Sequence, residues 1–327
     1  MLNRTLYLNE TVFSPEVEMK ATREALGEAL VELGKQNQNV VVLTADWGWS
    51  ARILPFKDAF PDRFVEMGIA EQNMMGVAAG LAVNGKIPFA VTLAIFNPGR
   101  NWEQIRLSVC FSNANVKIVG THSGLSHCFD GGNAQALEDI ALTRVLPNMT
   151  VIAPLDGNET KKAIFEMAKH NGPVYMRIGR EATPVITSDK TPFEIGKARV
   201  LIEGNDVTIL STGLVGFEAL VAAKDLKAKY KIGAEVIHCA TVKPLDETVI
   251  LDSVKKTGKV VTVEDHQIAG GFGSAIAELL GEKLPTKVLR IGVNDTFGQS
   301  GKYAELKDKY GISAHHIVSR TIKEFFS

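Results

Sequence analysis

The stretch Gly68-Ile69-Ala70-Glu71-Gln72-Asn73-Met74, continuing as Met75-Gly76-Val77-Ala78-Ala79-Gly80-Leu81-Ala82, decides how the chain is read. It sets one carboxylate, Glu71, at the start of an apolar run. Small residues at 76, 78, 79, 80 and 82 let that run pack closely as a helix. Glu71 is therefore expected at a buried helix entrance, where a lone charge is costly without a partner. The plainer alternative is a capping Glu that satisfies first-turn amides and the positive end of the helix dipole.

Working outward, residues 20–34 place Leu26, Ala29, Leu30 and Leu33 at helical spacing. Val40–Leu43, Val116–Val119, Val151–Ala153 and Val174–Met176 are short apolar runs bounded by polar or glycine-containing breaks. Continuous β-branched runs alternating with helical stretches predict an α/β fold with a parallel sheet buried on both faces. The segment Glu181–Glu194 carries Thr183-Pro184 and Thr191-Pro192 and little periodicity, so it reads as a linker. Beyond it the alternation restarts at Val207–Leu210, Ala234–Ile237, Val260–Val263 and Lys287–Ile291, with helices over Phe217–Lys229 and Ser274–Leu280. The expected organisation is an N-terminal arm (1–18), a first domain (19–183), a linker (184–196) and a second, smaller parallel-sheet domain (197–327). The arm either packs on a partner or frays; a frayed end is the preferred reading.

The chain has 327 residues, enough for two cores of ordinary domain size. A formal net charge of -1 provides no long-range field for nucleic acid or an anionic membrane. Small molecules or another protein surface are the expected partners. Cys110, Cys128 and Cys239 have no C-x-x-C spacing, which argues against a disulfide framework and a zinc site and fits a reduced cytoplasm. No apolar run approaches the length needed to span a bilayer.

Phe60-Pro61-Asp62-Arg63-Phe64, the Glu71 segment, Pro88-Phe89, Glu103-Gln104-Ile105-Arg106, Thr121-His122-Ser123-Gly124-Leu125, Asp130-Gly131 and Gln135-Ala136-Leu137-Glu138-Asp139 follow one another in an order that resembles the pyrimidine-binding domain of transketolases. Lys243-Pro244-Leu245-Asp246, Val263-Glu264-Asp265-His266 with Gly270-Gly271, and Phe297-Gly298-Gln299-Ser300-Gly301 resemble the transketolase C-terminal domain. The length matches only the C-terminal half of a full transketolase, so the chain resembles the C-terminal subunit of a split enzyme.

The resemblance implies thiamine diphosphate as cofactor. It implies that Glu71 hydrogen-bonds the aminopyrimidine ring nitrogen, a task that suits a buried carboxyl because burial favours the protonated form. It further implies that Phe96 packs on the aminopyrimidine face, with Leu93 as apolar wall where relatives carry an aromatic. His122 is implied to contact substrate hydroxyls and shuttle a proton near neutral pH. Asp130 is implied near donor-sugar hydroxyls, with a turn-forming Asp-Gly as the alternative. Arg180 is implied to bind a substrate phosphate, with a surface salt bridge as the alternative.

Three departures stand out. Ala134 replaces the usual histidine of the family's Asp-Gly-x-Thr/Ser-His-Gln element. His127-Cys128-Phe129 fills a stretch that is small and glycine-containing in relatives, and His127 either enters the cavity or points into solvent. Asp46-Trp47-Gly48-Trp49-Ser50 differs from the family's Asp-Leu-x-x-Ser.

The family's Gly-Asp-Gly element for the diphosphate and its Mg²⁺ or Ca²⁺ is missing. An N-terminal transketolase subunit is therefore the expected partner, in an α2β2 heterotetramer that supplies the metal site and leaves none to this chain. The expected activity is transfer of a two-carbon ketol unit from a ketose phosphate to an aldose phosphate. The β subunit of a 2-oxo-acid dehydrogenase and a non-catalytic subunit that kept the fold are the alternatives.

Overall fold

Val40–Thr44 shows how the first sheet is buried on both faces. Its alternate residues Val41 and Leu43 point into one core, with Met74, Met75 and Ala78, while Val40 and Val42 point into the other, with Leu26, Leu30 and Phe56. In this computed structural model, which describes residues 2–327, that strand belongs to a seven-stranded sheet. The order is Thr241–Lys243, Thr150–Ile152, Val174–Arg177, Lys117–Thr121, Ile87–Leu93, Val40–Thr44 and Phe64–Glu66. All neighbours run parallel except the edge strand Thr241–Lys243. Helices Thr22–Gln36 and Gly157–Lys169 cover one face, and Glu71–Val83 covers the other.

A second sheet has the order Val288–Val293, Val260–Gln267, Val207–Ser211, Ala234–His238 and Arg199–Ile202, with only the last strand antiparallel. The two sheets interlock. Thr241–Lys243 leaves the second domain in sequence yet pairs with Thr150–Ile152 of the first. One apolar core runs from Met74 and Ile118 through Leu210 and Ile237 to Phe272. Between Val185 and Ala198 there is neither helix nor strand.

Two expectations are corrected. Ile87–Leu93 is a central strand that the sequence reading passed over; Pro88 lies at its second position, where a strand tolerates proline better than in its interior. The N-terminal segment does not fray over the described residues 2–18. Leu6, Leu8 and Val12 are buried in the core of the second domain, and Asn3 and Asn9 anchor it by donating through Nδ2 to Val200 O (3.0 Å) and Val185 O (2.9 Å). Among the described residues no helix is long and apolar enough to cross a membrane.

Candidate active site

The carboxyl ends of adjacent parallel strands gather ligand-facing loops in sheets of this kind. Here Leu93 pairs with Thr121 at the ends of Ile87–Leu93 and Lys117–Thr121. The chain then turns at Ala94–Phe96 on one side and at His122 on the other. His122 has φ +58°, a left-handed conformation that costs a non-glycine residue energy and is concentrated at functional sites. Gly124 is required where it stands. Its φ is +62°, and a Cβ there would lie 2.5 Å from the Asp265 carboxylate, which accepts from the Leu125 amide at 3.0 Å.

Glu71 begins the helix Glu71–Val83 and is buried, as the sequence predicts. It is not a lone charge: Arg100 Nη1 donates to Glu71 Oε2 at 2.8 Å. The same guanidinium lies 4.0 Å from the centre of the half-buried Phe96 ring. Asn101 Nδ2 donates to the Glu71 carbonyl at 3.3 Å. Leu93 is buried. Acid, ring and apolar wall therefore fit a heteroaromatic ligand that needs a hydrogen bond at its edge and a stacking partner on its face. Arg100, 44% exposed, caps both from the solvent side.

The His122 ring is buried with both nitrogens engaged. Nδ1 lies 2.9 Å from Thr121 Oγ1, and Nε2 lies 3.3 Å from Arg23 Nη1 and 3.2 Å from Ser50 Oγ. Arg23 can only donate, so Nε2 accepts and Nδ1 carries the hydrogen. Thr121 Oγ1 also receives Trp47 Nε1–H at 3.1 Å and donates to Thr92 O at 3.2 Å. Burial first, then His127, Arg23, Arg180 and Arg52, push the His122 pKa down to about 2. In this structure His122 is a neutral hydrogen-bonding ring.

Around it stands a cluster of positive charge. Burial lowers the Arg23 pKa, and Arg52 and Arg180 lower it further. Arg23 Nε and Arg180 Nη1 are buried nitrogens with no hydrogen-bond partner in the chain. Arg180 approaches Glu181 only at 4.0 Å, so the surface salt bridge leaves most of its guanidinium unused. Unpaired guanidinium donors beside a neutral imidazole and a serine hydroxyl form a receptor for an anionic group such as phosphate or sulfonate.

Asp130 is engaged through one carboxylate oxygen, Oδ2. Its half-exposed carboxylate takes a hydrogen bond from His127 Nε2. His127, left open between cavity and solvent, is buried inward, with its ring centre 5.0 Å from that of His122 and 6.4 Å from that of Trp47. The sequence reading missed Arg23, Arg52 and Arg100 altogether. Their only signal was proximity to elements already singled out, since a lone arginine has no periodic signature. Among the described residues the one group of three acids or imidazoles close enough to share a metal ion is Asp308, at the end of the helix Tyr303–Lys309, with His315 and His316 at the start of the last helix.

The chain as a whole has relatives among known proteins. The family model for the transketolase pyrimidine-binding domain matches residues 18–185, and that for the transketolase C-terminal domain matches residues 196–317. The chain belongs to the transketolase family. It is 47% identical to a putative transketolase C-terminal section of Methanocaldococcus jannaschii, over 93% of this chain and 96% of that protein. It is 42% identical to the 6-deoxy-6-sulfo-D-fructose transketolase subunit SqwH of a Clostridium species, over 94% and 95% of the two chains. A solved split-gene transketolase, an inactive β4 tetramer, is 48% identical and superposes with a TM-score of 0.87 over 93% of this chain and 98% of its own.

Proposed function

We propose that this chain is the pyrimidine-side subunit of a two-chain transketolase that moves a two-carbon ketol unit from an anionic ketose to an aldose phosphate. The observation that carries this is the pairing of two receptors on one sheet edge: Glu71 with Phe96 for a heterocycle, and Arg23 with Arg180 and His122 for an anion. When bound, thiamine diphosphate supplies a nucleophilic carbanion.

Glu71 holds the hydrogen bond at the heterocycle's ring nitrogen, Phe96 stacks on its face and Leu93 closes the wall. Arg23, Arg180 and Ser50 orient the substrate's anionic end, and His122 holds Arg23 and Ser50 beside it through Nε2. Asp130 acts through His127 rather than on the sugar directly.

The partner is an N-terminal subunit carrying the diphosphate and its Mg²⁺ or Ca²⁺, in an α2β2 assembly within the cytoplasm. The relative isolated as an inactive β4 tetramer supports the idea that this subunit self-associates and is silent without its partner. The relative named for 6-deoxy-6-sulfo-D-fructose supports an anion site that accepts more than phosphate. The test is ketol transfer by the mixed subunits with thiamine diphosphate and Mg²⁺, against this chain alone. Activity only in the mixture is expected. Turnover by the purified chain, or none from the mixture with any ketose phosphate or ketose sulfonate, refutes the reading.

A further inference from the structure

We propose that His127 is the specificity-determining contact for one hydroxyl group of the sugar substrate, with Asp130 as the positioning residue that fixes its tautomer. The inference rests on the ketol-transfer reading above.

The His127 ring is buried, stacked on Trp47 (25° between planes) and tilted against His122. Its Nε2 is held by the Asp130 carboxylate, which accepts only, so Nε2 carries the hydrogen. Burial lowers the His127 pKa to about 4 against the opposing pull of Asp130, so the ring is neutral at physiological pH. Nδ1 therefore presents a lone pair.

That lone pair is buried and has no donor in the chain. Trp47 Nε1 and His122 Nδ1 are taken by Thr121 Oγ1, Ser126 Oγ by Ser123 O and Cys128 Sγ by Ser126 O, while the unpaired Arg23 Nε and Arg180 Nη1 make no hydrogen bond to it. Buried acceptors in folded proteins are satisfied, so an orphan beside an anion receptor awaits a ligand's donor. Arg23, Arg52 and Arg180 surround the imidazoles with positive charge, which disfavours an ammonium there. A neutral O–H on an otherwise anionic substrate suits both requirements. The sugar hydroxyl donates to Nδ1, and no proton is transferred.

The test uses this chain mixed with its N-terminal partner, thiamine diphosphate and Mg²⁺. A ketose phosphate and its set of monodeoxy analogues are compared on native protein, His127→Leu and His127→Asn. With the parent sugar, Leu should cost about tenfold in kcat/KM, the value of one neutral hydrogen bond and the donor left unpaired. Asn, whose amide oxygen accepts, should recover part of that loss. One analogue, the one lacking the hydroxyl that His127 contacts, should be turned over equally by native and Leu proteins. A loss of the same size for every analogue marks a merely structural role and overturns the assignment while leaving the function standing. Native protein that turns over neither a ketose phosphate nor a ketose sulfonate overturns both.

Should the variants fail to fold, ¹⁵N spectra of the native histidines decide. The unprotonated Nδ1 resonance of His127 should move on adding the ketose phosphate and stay still with inorganic phosphate. The opposite result, or no movement with either, removes the proposal. Asp130→Asn should redistribute the tautomer in the same spectra.

Discussion

Replacing Arg177 with methionine tests how the two domains hold the site. The guanidinium is almost wholly buried and makes four hydrogen bonds. Nε donates to Asp139 Oδ2 at 2.9 Å, Nη1 and Nη2 donate to Asp265 O at 3.1 and 3.0 Å, and Nη2 donates to Ala136 O at 3.4 Å. Asp265 belongs to the second sheet and anchors the Leu125 amide. Ala136 accepts from Gly124, so both ends of the loop carrying His127 converge on this arginine. In Arg177→Met, Asp139 keeps the Tyr175 hydroxyl at 2.7 Å, but its Oδ1 already lacks a hydrogen-bond partner and His266 is 4.0 Å away. A buried carboxylate stripped of its cation typically costs about 3–5 kcal/mol. The Asp265 carbonyl also loses both guanidinium donors, which places the loss in the upper part of that range. In Arg177→Met/Asp139→Asn the stranded charge is gone while Tyr175 keeps an acceptor. That double variant should recover roughly half, leaving about 2 kcal/mol for the unpaired carbonyl. Urea unfolding followed by circular dichroism and by tryptophan fluorescence measures both, and comparing the two probes shows whether the domains still unfold together. A loss below about 1 kcal/mol in the single variant, or a double variant no better than the single, would refute the reasoning.

Acidification should destabilise the chain. Burial holds His122 at about 2 and His127 and His266 at about 4, below the ordinary 6.5, so the unfolded chain binds protons first as pH falls below 6.5. Glu264, raised by burial from 4.5 to about 7, works in the opposite direction because the folded chain binds its proton first. At pH 5 each of three rings withdraws about 2 kcal/mol and Glu264 returns about 2. Glu138, Asp156 and Asp265, also raised by burial, return part of the remainder, so the net loss relative to pH 7.5 is smaller than about 4 kcal/mol; a urea midpoint that is level or higher at pH 5 contradicts this. Glu71→Gln should slow exchange of the C2 proton of thiamine diphosphate in the assembled pair by roughly two to four orders of magnitude, followed by NMR; unchanged exchange ends the assignment. Arg180→Gln should raise KM for a ketose phosphate by about 10- to 150-fold, one charge-assisted hydrogen bond, and spare the unphosphorylated ketose; equal effects on the two sugars would place Arg180 outside the anion site.

Much of this was legible in the residues because burial is written locally. The β-branched runs at Val40 and Val174 became strands of the first sheet and those at Val207 and Val260 strands of the second, and Leu26, Leu30 and Leu33 became the buried stripe of one helix. Glu71 was visible as a polar residue where apolar neighbours demanded a reason for it. Ile87–Leu93 was harder, since Pro88 argues against a central strand unless its place at the strand's start is known. Thr241–Lys243 could not be assigned at all, because three residues carry no period and their pairing partner lies some ninety positions away.

The sequence by itself marked several of the helices and strands on which the fold is built, and determined that two parallel sheets follow one another and that a carboxylate stands at a helix entrance. These follow from side-chain periodicity and from the cost of burying unpaired groups, both properties of short stretches. Only the tertiary structure decided that Arg100 covers Glu71 and Phe96, that Arg23 and Arg180 converge on His122, and that His127 turns inward with Asp130 on its Nε2. Those contacts join residues from separate strand ends and loops. Their energies depend on distances and on local dielectric, which the order of residues along the chain does not contain.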